Sequence, residues 1–179
     1  MALLDHTAFD GIEILDKNIY TSDLGYFSTI FNSASLDSIF IQDSVSKSIK
    51  TGTIRGLHFQ KSQHAQAKLI NVIEGSIVDF FVDLRKDSPT FLSYGRIELN
   101  QETTKSLFIP RGFAHGFITR KPNTIISYKL DNLYNPASEE TLLWNDPDVG
   151  IIWPEMKTYH LSPKDLKGKN LDVVLKEIF

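Results

Sequence analysis

The chain contains no cysteine. Disulfides, thiolate metal sites, iron–sulfur clusters and a cysteine nucleophile are therefore all excluded, and redox grounds leave the compartment open. A strong charge of either sign is also missing. There are 19 Lys and Arg against 22 Asp and Glu, a net charge of −3, so no long-range field draws the chain to nucleic acid or to an anionic membrane. Apolar runs such as Phe80–Val82 fall far short of the roughly 20 residues a membrane span needs. The first residues, with Asp5 and His6 among them, offer no signal-peptide core. No repeat, low-complexity segment or linker interrupts the sequence. What remains is 179 residues, 41% hydrophobic and 23% charged, an ordinary globular composition. At about 150 residues per domain this is one domain spanning residues 1–179, large enough to bury well over half its unfolded surface unaided. A soluble cytoplasmic protein is the expectation.

Strand-length segments rich in β-branched and aromatic residues run through the middle: Gly11–Leu15, Thr53–Phe59, Ala67–Glu74, Ser76–Leu84, Tyr94–Leu99, Ser106–Ile109, His115–Thr119 and Thr124–Leu130. Turn chemistry separates them, at Glu74-Gly75-Ser76 and at Arg85-Lys86-Asp87-Ser88-Pro89. This spacing predicts an all-β sandwich or barrel. Helix signals sit toward the ends. Ser33–Phe40 reads as a short helix opened by serine. Ser162-Pro163-Lys164-Asp165 reads as an N-cap with Pro at N1 and an acid at N3. Residues 170–179 carry Leu171, Val174, Leu175 and Ile178 on one face.

Candidate chemistry gathers around two histidines. His58 lies in Arg55-Gly56-Leu57-His58-Phe59-Gln60. Strand alternation puts Arg55, Leu57 and Phe59 on one face and His58 on the other with Gly56 and Ile54. A glycine inside a strand often marks the close approach of a ligand. An arginine near a histidine suits an anionic ligand beside an acid–base group. His115 closes Pro110-Arg111-Gly112-Phe113-Ala114-His115, which resembles the second motif of the cupin superfamily. The first cupin motif, His-x-His followed by Glu, is matched here only by His58-Phe59-Gln60, so the usual ligand set for a mononuclear metal is incomplete. A metal-dependent cupin is disfavoured on that ground. Asp79 is an acid inside the apolar segment Ile77-Val78-Asp79-Phe80-Phe81. Such an acid needs a partner, and His115 or Lys68 is the expected one.

Most of the chain further resembles the dTDP-4-dehydrorhamnose 3,5-epimerase family. The resemblance is carried, in order, by Phe40-Ile41-Gln42-Asp43, residues 54–60, Ala65–Ile70, Val82–Phe91, Phe108–Phe117, Tyr128-Lys129, Tyr134-Asn135-Pro136 and Leu143–Ile151. It implies a cupin-type jelly roll working without metal or other cofactor, usually as a homodimer, on a nucleotide sugar. The implied reaction inverts C3 and C5 of a 4-keto-6-deoxy sugar, both carbons lying α to the ketone. His58 matches the base, Asp165 the carboxylate that orients it, Lys68 the cation at the enolate oxygen and Tyr128 the acid on the opposite face. Arg55, His115, Gln42, Tyr20, Tyr134 and Asp79 fall to substrate binding. Read alone, Asp165 is a helix N3 acid, Lys68 a solvated strand lysine and Tyr128 a core tyrosine.

The sequence also departs from the family pattern. Leu24 stands where an Arg is usual, Thr29 where a Glu is, Leu133 where an aromatic often precedes Tyr134, and Ser44 where an Asn is common. The resemblance implies that these positions handle the nucleotide, so Arg55, or another base such as Lys61, Arg111 or Arg120, is expected to take up the phosphate charge. Inversion at one centre and at two both fit the residues. So does another 4-keto sugar. A non-catalytic sugar-binding cupin is the competing class, and survival of His58, Lys68, Tyr128 and Asp165 together favours the enzyme.

Overall fold

A computed structural model describes residues 2–36 and 38–178. The strands are β1 (Glu13–Asp16), β2 (Ile19–Ser22), β3 (Gly25–Ser28), β4 (Gln42–Ser48), β5 (Ile54–Gln60), β6 (Lys68–Glu74), β7 (Ser76–Asp83), β8 (Tyr94–Asn100), β9 (Lys105–Ile109), β10 (Phe113–Thr119), β11 (Thr124–Leu130) and β12 (Glu139–Thr141). Two short helices follow, α1 (Pro163–Leu166) and α2 (Leu171–Ile178). The strands form two five-stranded sheets, ordered β1-β9-β6-β11-β4 and β12-β5-β10-β7-β8, and a separate hairpin, β2-β3. Neighbouring strands pair antiparallel throughout. This is the expected all-β jelly roll.

The second sheet is buried on both faces. On β7, Ile77 and Phe81 point toward the first sheet and pack with Ile70, Val72, Phe117 and Ile126. Val78, Phe80 and Val82 point the other way, into a core closed by Trp153, Leu171 and Val174. That two-sided burial explains why β7 reads as a nearly continuous apolar run. It also means that Asp79, on the inward face, has no water to turn to. α2 is held by buried Leu171 and Val174, as its apolar face predicted. α1 is capped by Ser162, whose side chain accepts the Asp165 N–H.

Two expectations fail. Ser33–Phe40 is not helical among its described residues. Asn32 intervenes, its side chain taking the Ala34 N–H at 2.9 Å and its carbonyl the Ser35 N–H at 2.9 Å. This turn competes with a helix, and Leu36, Phe31 and Phe40 instead anchor the segment on Leu69 and Phe108. The simple alternation along β5 also fails. His115 pairs with His58 and Phe117 with Arg55, so Gly56 and Leu57 together oppose Gly116. This bulge turns Arg55 to the same side as His58. Gly56 permits it with φ +119°, and a Cβ there would lie 2.6 Å from the His115 carbonyl oxygen.

Candidate active site

Between the open ends of the two sheets lies a cavity of about 450 Å³. The second sheet contributes Arg55 and His58 from β5, His115 from β10 and Glu139 from β12. The first sheet faces them with Gln42, Ser44 and Ser46 from β4, Lys68 from β6 and Tyr128 from β11. Gln42, Ser44 and Ser46 project inward because they alternate with exposed Asp43, Val45 and Lys47.

His58 is anchored from behind. Its Nε2 lies 2.6 Å from Oδ1 of Asp165, which is 2% exposed. The same oxygen accepts the Gly56 N–H, and Oδ2 accepts the Ser162 hydroxyl at 2.7 Å. Burial alone would push the Asp165 carboxyl up, but hydrogen bonds from His58 and Ser162 hold it below the usual carboxylate range. An ionised carboxylate only accepts, so Nε2 carries the ring proton and Nδ1 keeps its lone pair. Imidazole in that tautomer is a general base.

His115 is held similarly, its Nε2 donating to Oδ2 of Asp79 at 2.9 Å. Burial lowers His115 and raises Asp79, each against the attraction of the other. The second Asp79 oxygen has no hydrogen-bond partner among the described residues. Lys68 donates to the His58 carbonyl at 3.2 Å. Burial lowers its amine to about 8, with Asp79 and Glu139 pulling it back up. Burial raises the Tyr128 phenol, which shares a 3.2 Å hydrogen bond with Ser46, so it is protonated and able to donate. Arg55 is steadied by donating to the Ser48 hydroxyl at 3.2 Å.

Of the residues singled out from the sequence, His58, Lys68, Tyr128, Arg55, His115, Gln42 and Tyr134 line one cavity, with Asp165 behind His58. Asp79 does not line it. It is fully buried and bonded to His115, so the substrate-binding place expected for it is not the one it takes; of the two partners expected, His115 is the one it bonds. Tyr20 lies on the β2–β3 hairpin, 64% exposed, beside a separate cavity of about 160 Å³. The bases proposed to stand in for the missing arginine are engaged elsewhere: Lys61 with Glu140, Arg111 with Asp131, and Arg120 against Met156. Ser46, Gln66 and Glu139 are polar lining residues that were not among the candidates from the sequence. Glu139 sits in an acidic doublet, Glu139-Glu140, that no sequence motif singles out. Among the described residues no three His, Asp or Glu side chains converge as a metal site.

Fold and site together define a jelly-roll protein whose polar cavity sets an imidazole on one sheet, backed by a carboxylate from α1, against a phenol and an ammonium on the other sheet. Residues 6–172 match the protein-family model described as dTDP-4-dehydrorhamnose 3,5-epimerase, and the chain belongs to that family. It is 38% identical to the dTDP-4-dehydrorhamnose 3,5-epimerase of Salmonella typhimurium over 98% of both chains, and 42% identical to that of Methanothermobacter thermautotrophicus over 92% of both. Among solved structures, it superposes with TM-score 0.90 on a dTDP-6-deoxy-D-glucose-3,5-epimerase from Legionella pneumophila in complex with dTDP-4-keto-L-rhamnose. That match has 35% identity and covers 98% of this chain and 95% of the other. The Bacillus anthracis epimerase with TDP and pyrophosphate bound gives 0.85 at 42% identity, covering 90% and 94%.

Proposed function

We propose that the chain is an isomerase that inverts C3 and C5 of a dTDP-linked 4-keto-6-deoxy sugar. The observation that carries this is the placement of His58 and Tyr128 on opposite sheets across one cavity. The Nδ1 lone pair of His58 takes the proton α to the ketone. The electrons move into the C=C of an enolate, and the ammonium of Lys68 meets the charge gathering on its oxygen. Tyr128 returns a proton from the other face and the configuration inverts. Asp165 steadies the imidazolium that forms. Arg55 is the guanidinium available to the diphosphate, while His115, Gln42 and Tyr134 are placed for sugar and nucleotide oxygens.

The reading includes a homodimer. The β2–β3 hairpin pairs with neither main sheet, and it exposes Tyr20, Leu24, Tyr26 and Phe27. A two-fold partner covering that apolar surface would bring Tyr20 to the partner's nucleotide. The reaction is placed in the cytoplasm, because a sugar carrying a charged diphosphate does not cross a bilayer unaided.

The test is incubation with dTDP-4-keto-6-deoxyglucose in deuterated water, with and without a chelator. Deuterium appearing at C3 and C5 in both arms is expected. Label at one centre would reduce the reading to a mono-epimerase, label lost with the chelator would refute the role given to Lys68, and no label would refute the function.

A further inference from the structure

On the outer face of the second sheet, away from the cavity, four charged side chains close a ring. Glu140 follows the alternation of β12. It pairs with Phe59, whose side chain lies in the core that α2 closes, and it is 8% exposed. Its Oε1 lies 2.6 Å from the Lys61 ammonium and its Oε2 2.7 Å from that of Lys169. Lys169 also meets Glu177 at 2.6 Å, and Glu177 lies 3.6 Å from Lys61. Cations and anions alternate, so none of these charges is left unpaired against the core. Burial would raise the Glu140 carboxyl, but Lys169 and Lys61 hold it below its ordinary value. Glu177 sits in the last turn of α2, where the helix dipole disfavours an acid. Its place there answers to the two lysines and not to the helix.

The ring stands at one end of the segment that carries Asp165. Residues 160–169 run along the β5–β12 edge with a backbone anchor at each end. At the first, the His160 N–H donates to the Gly52 carbonyl and the Ile54 N–H to the His160 carbonyl, both at 2.9 Å. At the second, the Lys169 N–H donates to the Thr141 carbonyl and the Leu143 N–H to the Lys169 carbonyl, both at 2.8 Å. α1 lies between them, and its four residues are too few for a helix to hold itself. Its position therefore depends on these anchors, together with the Asp165–His58 bond and the pairing of Lys164 with Glu139. The side chain of Lys169 fastens the second anchor to β12 and α2.

Building on the proposed function, we propose that Glu140 and Lys169 are positioning residues of the epimerase. The ion ring they close on the outer face pins one end of the segment that carries Asp165, and so keeps His58 in the tautomer with its proton on Nε2 and its lone pair on Nδ1. Neither residue touches the cavity or a reacting atom. Both act through α1 and Asp165.

The experiment compares wild type, Glu140→Gln, Lys169→Met and Lys169→Arg, with Ile77→Val as a control that trims the other core. The first readout is the 15N spectrum of the neutral His58 ring in substrate-free protein, its signals assigned by their loss in His58→Gln. Wild type shows the Nε2–H form alone. Glu140→Gln and Lys169→Met admit a share of the Nδ1–H form, Lys169→Arg keeps the charge and restores the wild-type spectrum, and Ile77→Val lowers Tm without altering it. The second readout is turnover. Partial loss of one hydrogen bond predicts a kcat about 3–10-fold lower in Glu140→Gln and Lys169→Met. KM stays within about twofold, because Asp165 meets a charge that develops only on the way to the enolate. A pure Nε2–H tautomer in both ring variants, with Tm alone lowered, would overturn the proposal, as would failure of Lys169→Arg to rescue. Lys169→Met leaves Glu140 bonded to Lys61, so it decides the matter if Glu140→Gln does not fold. The 15N spectrum needs no substrate, so it judges Glu140 and Lys169 even if wild type proves inactive and the proposed function fails.

Discussion

Replacing Asp165 with Asn probes the base through a change of one charge. Asn keeps the shape of the side chain. With its carbonyl oxygen toward His58 it still accepts the Nε2 proton, and its NH₂ can donate to the Ser162 hydroxyl. The fold should therefore survive. What disappears is the counter-charge beneath the imidazolium that forms when His58 takes the substrate proton. Asp165 is 2% exposed, so water cannot take its place. A hydrogen bond to a charged group is worth about 1.5–3 kcal/mol, or roughly 10–150-fold in rate. The loss belongs in kcat rather than KM, because the charge develops only on the way to the enolate. The assay is the rate of deuterium entry at C3 and C5 from deuterated water under saturating substrate. A variant within about twofold of wild type, or one changed in KM alone, would refute the reasoning and leave Asp165 as a helix-end acid. Ser162→Ala separates the two roles. It removes the cap of α1 and one bond to the carboxylate, costing about 0.5–2 kcal/mol of stability, yet it leaves the charge in place. It should therefore lower Tm while sparing most of kcat.

The remaining expectations follow from other parts of the site. With its amine lowered to about 8, Lys68 loses its charge above that pH, so kcat should fall as pH rises through about 8; a profile flat to about pH 10 would remove Lys68 from the enolate. Because that value lies below the ordinary 10.5, the buried ammonium destabilises the fold at neutral pH, and the cost is relieved between about 8 and 10.5. Gly56→Ala should lower Tm by several degrees and abolish turnover, since its Cβ meets the His115 carbonyl at 2.6 Å and the Gly116 Cα at 2.7 Å; a stable, active variant would mean the β5 bulge does not align Arg55 with His58. Leu24→Arg restores a guanidinium at the hairpin tip, where Leu24 is fully exposed, and should tighten dTDP binding by about tenfold or more at fixed ionic strength. An unchanged titration would mean the diphosphate is held without that position.

The parts of the molecule legible in the sequence are those where the pattern has one cause. β6, β7 and β11 read as strands because apolar packing sets most of their positions despite Lys68, Asp79 and Tyr128, and the Ser162 cap reads as a cap because it needs only local bonds. β4 was not legible as a strand. Its inward residues Gln42, Ser44, Ser46 and Ser48 face the polar cavity or its arginine, and Val45 faces out. A strand lining a wet site loses the apolar period that would announce it. The hairpin hides for a related reason, because Tyr26 and Phe27 are both exposed, with no inside to alternate against. Glu139 escaped notice in the same way, as an acid whose partners Tyr134 and Lys164 arrive from opposite sides in sequence. The bulge at Gly56 escaped because one extra residue against Gly116 is fixed by the partner strand and not by β5. Its consequence is the largest of these. It puts Arg55 beside His58, three residues apart on one wall, where unbroken alternation would have sent the cation proposed to meet the diphosphate to the far side of the sheet. The same glycine that hid the geometry from a period-two reading therefore places a guanidinium and the proposed base in a single cavity.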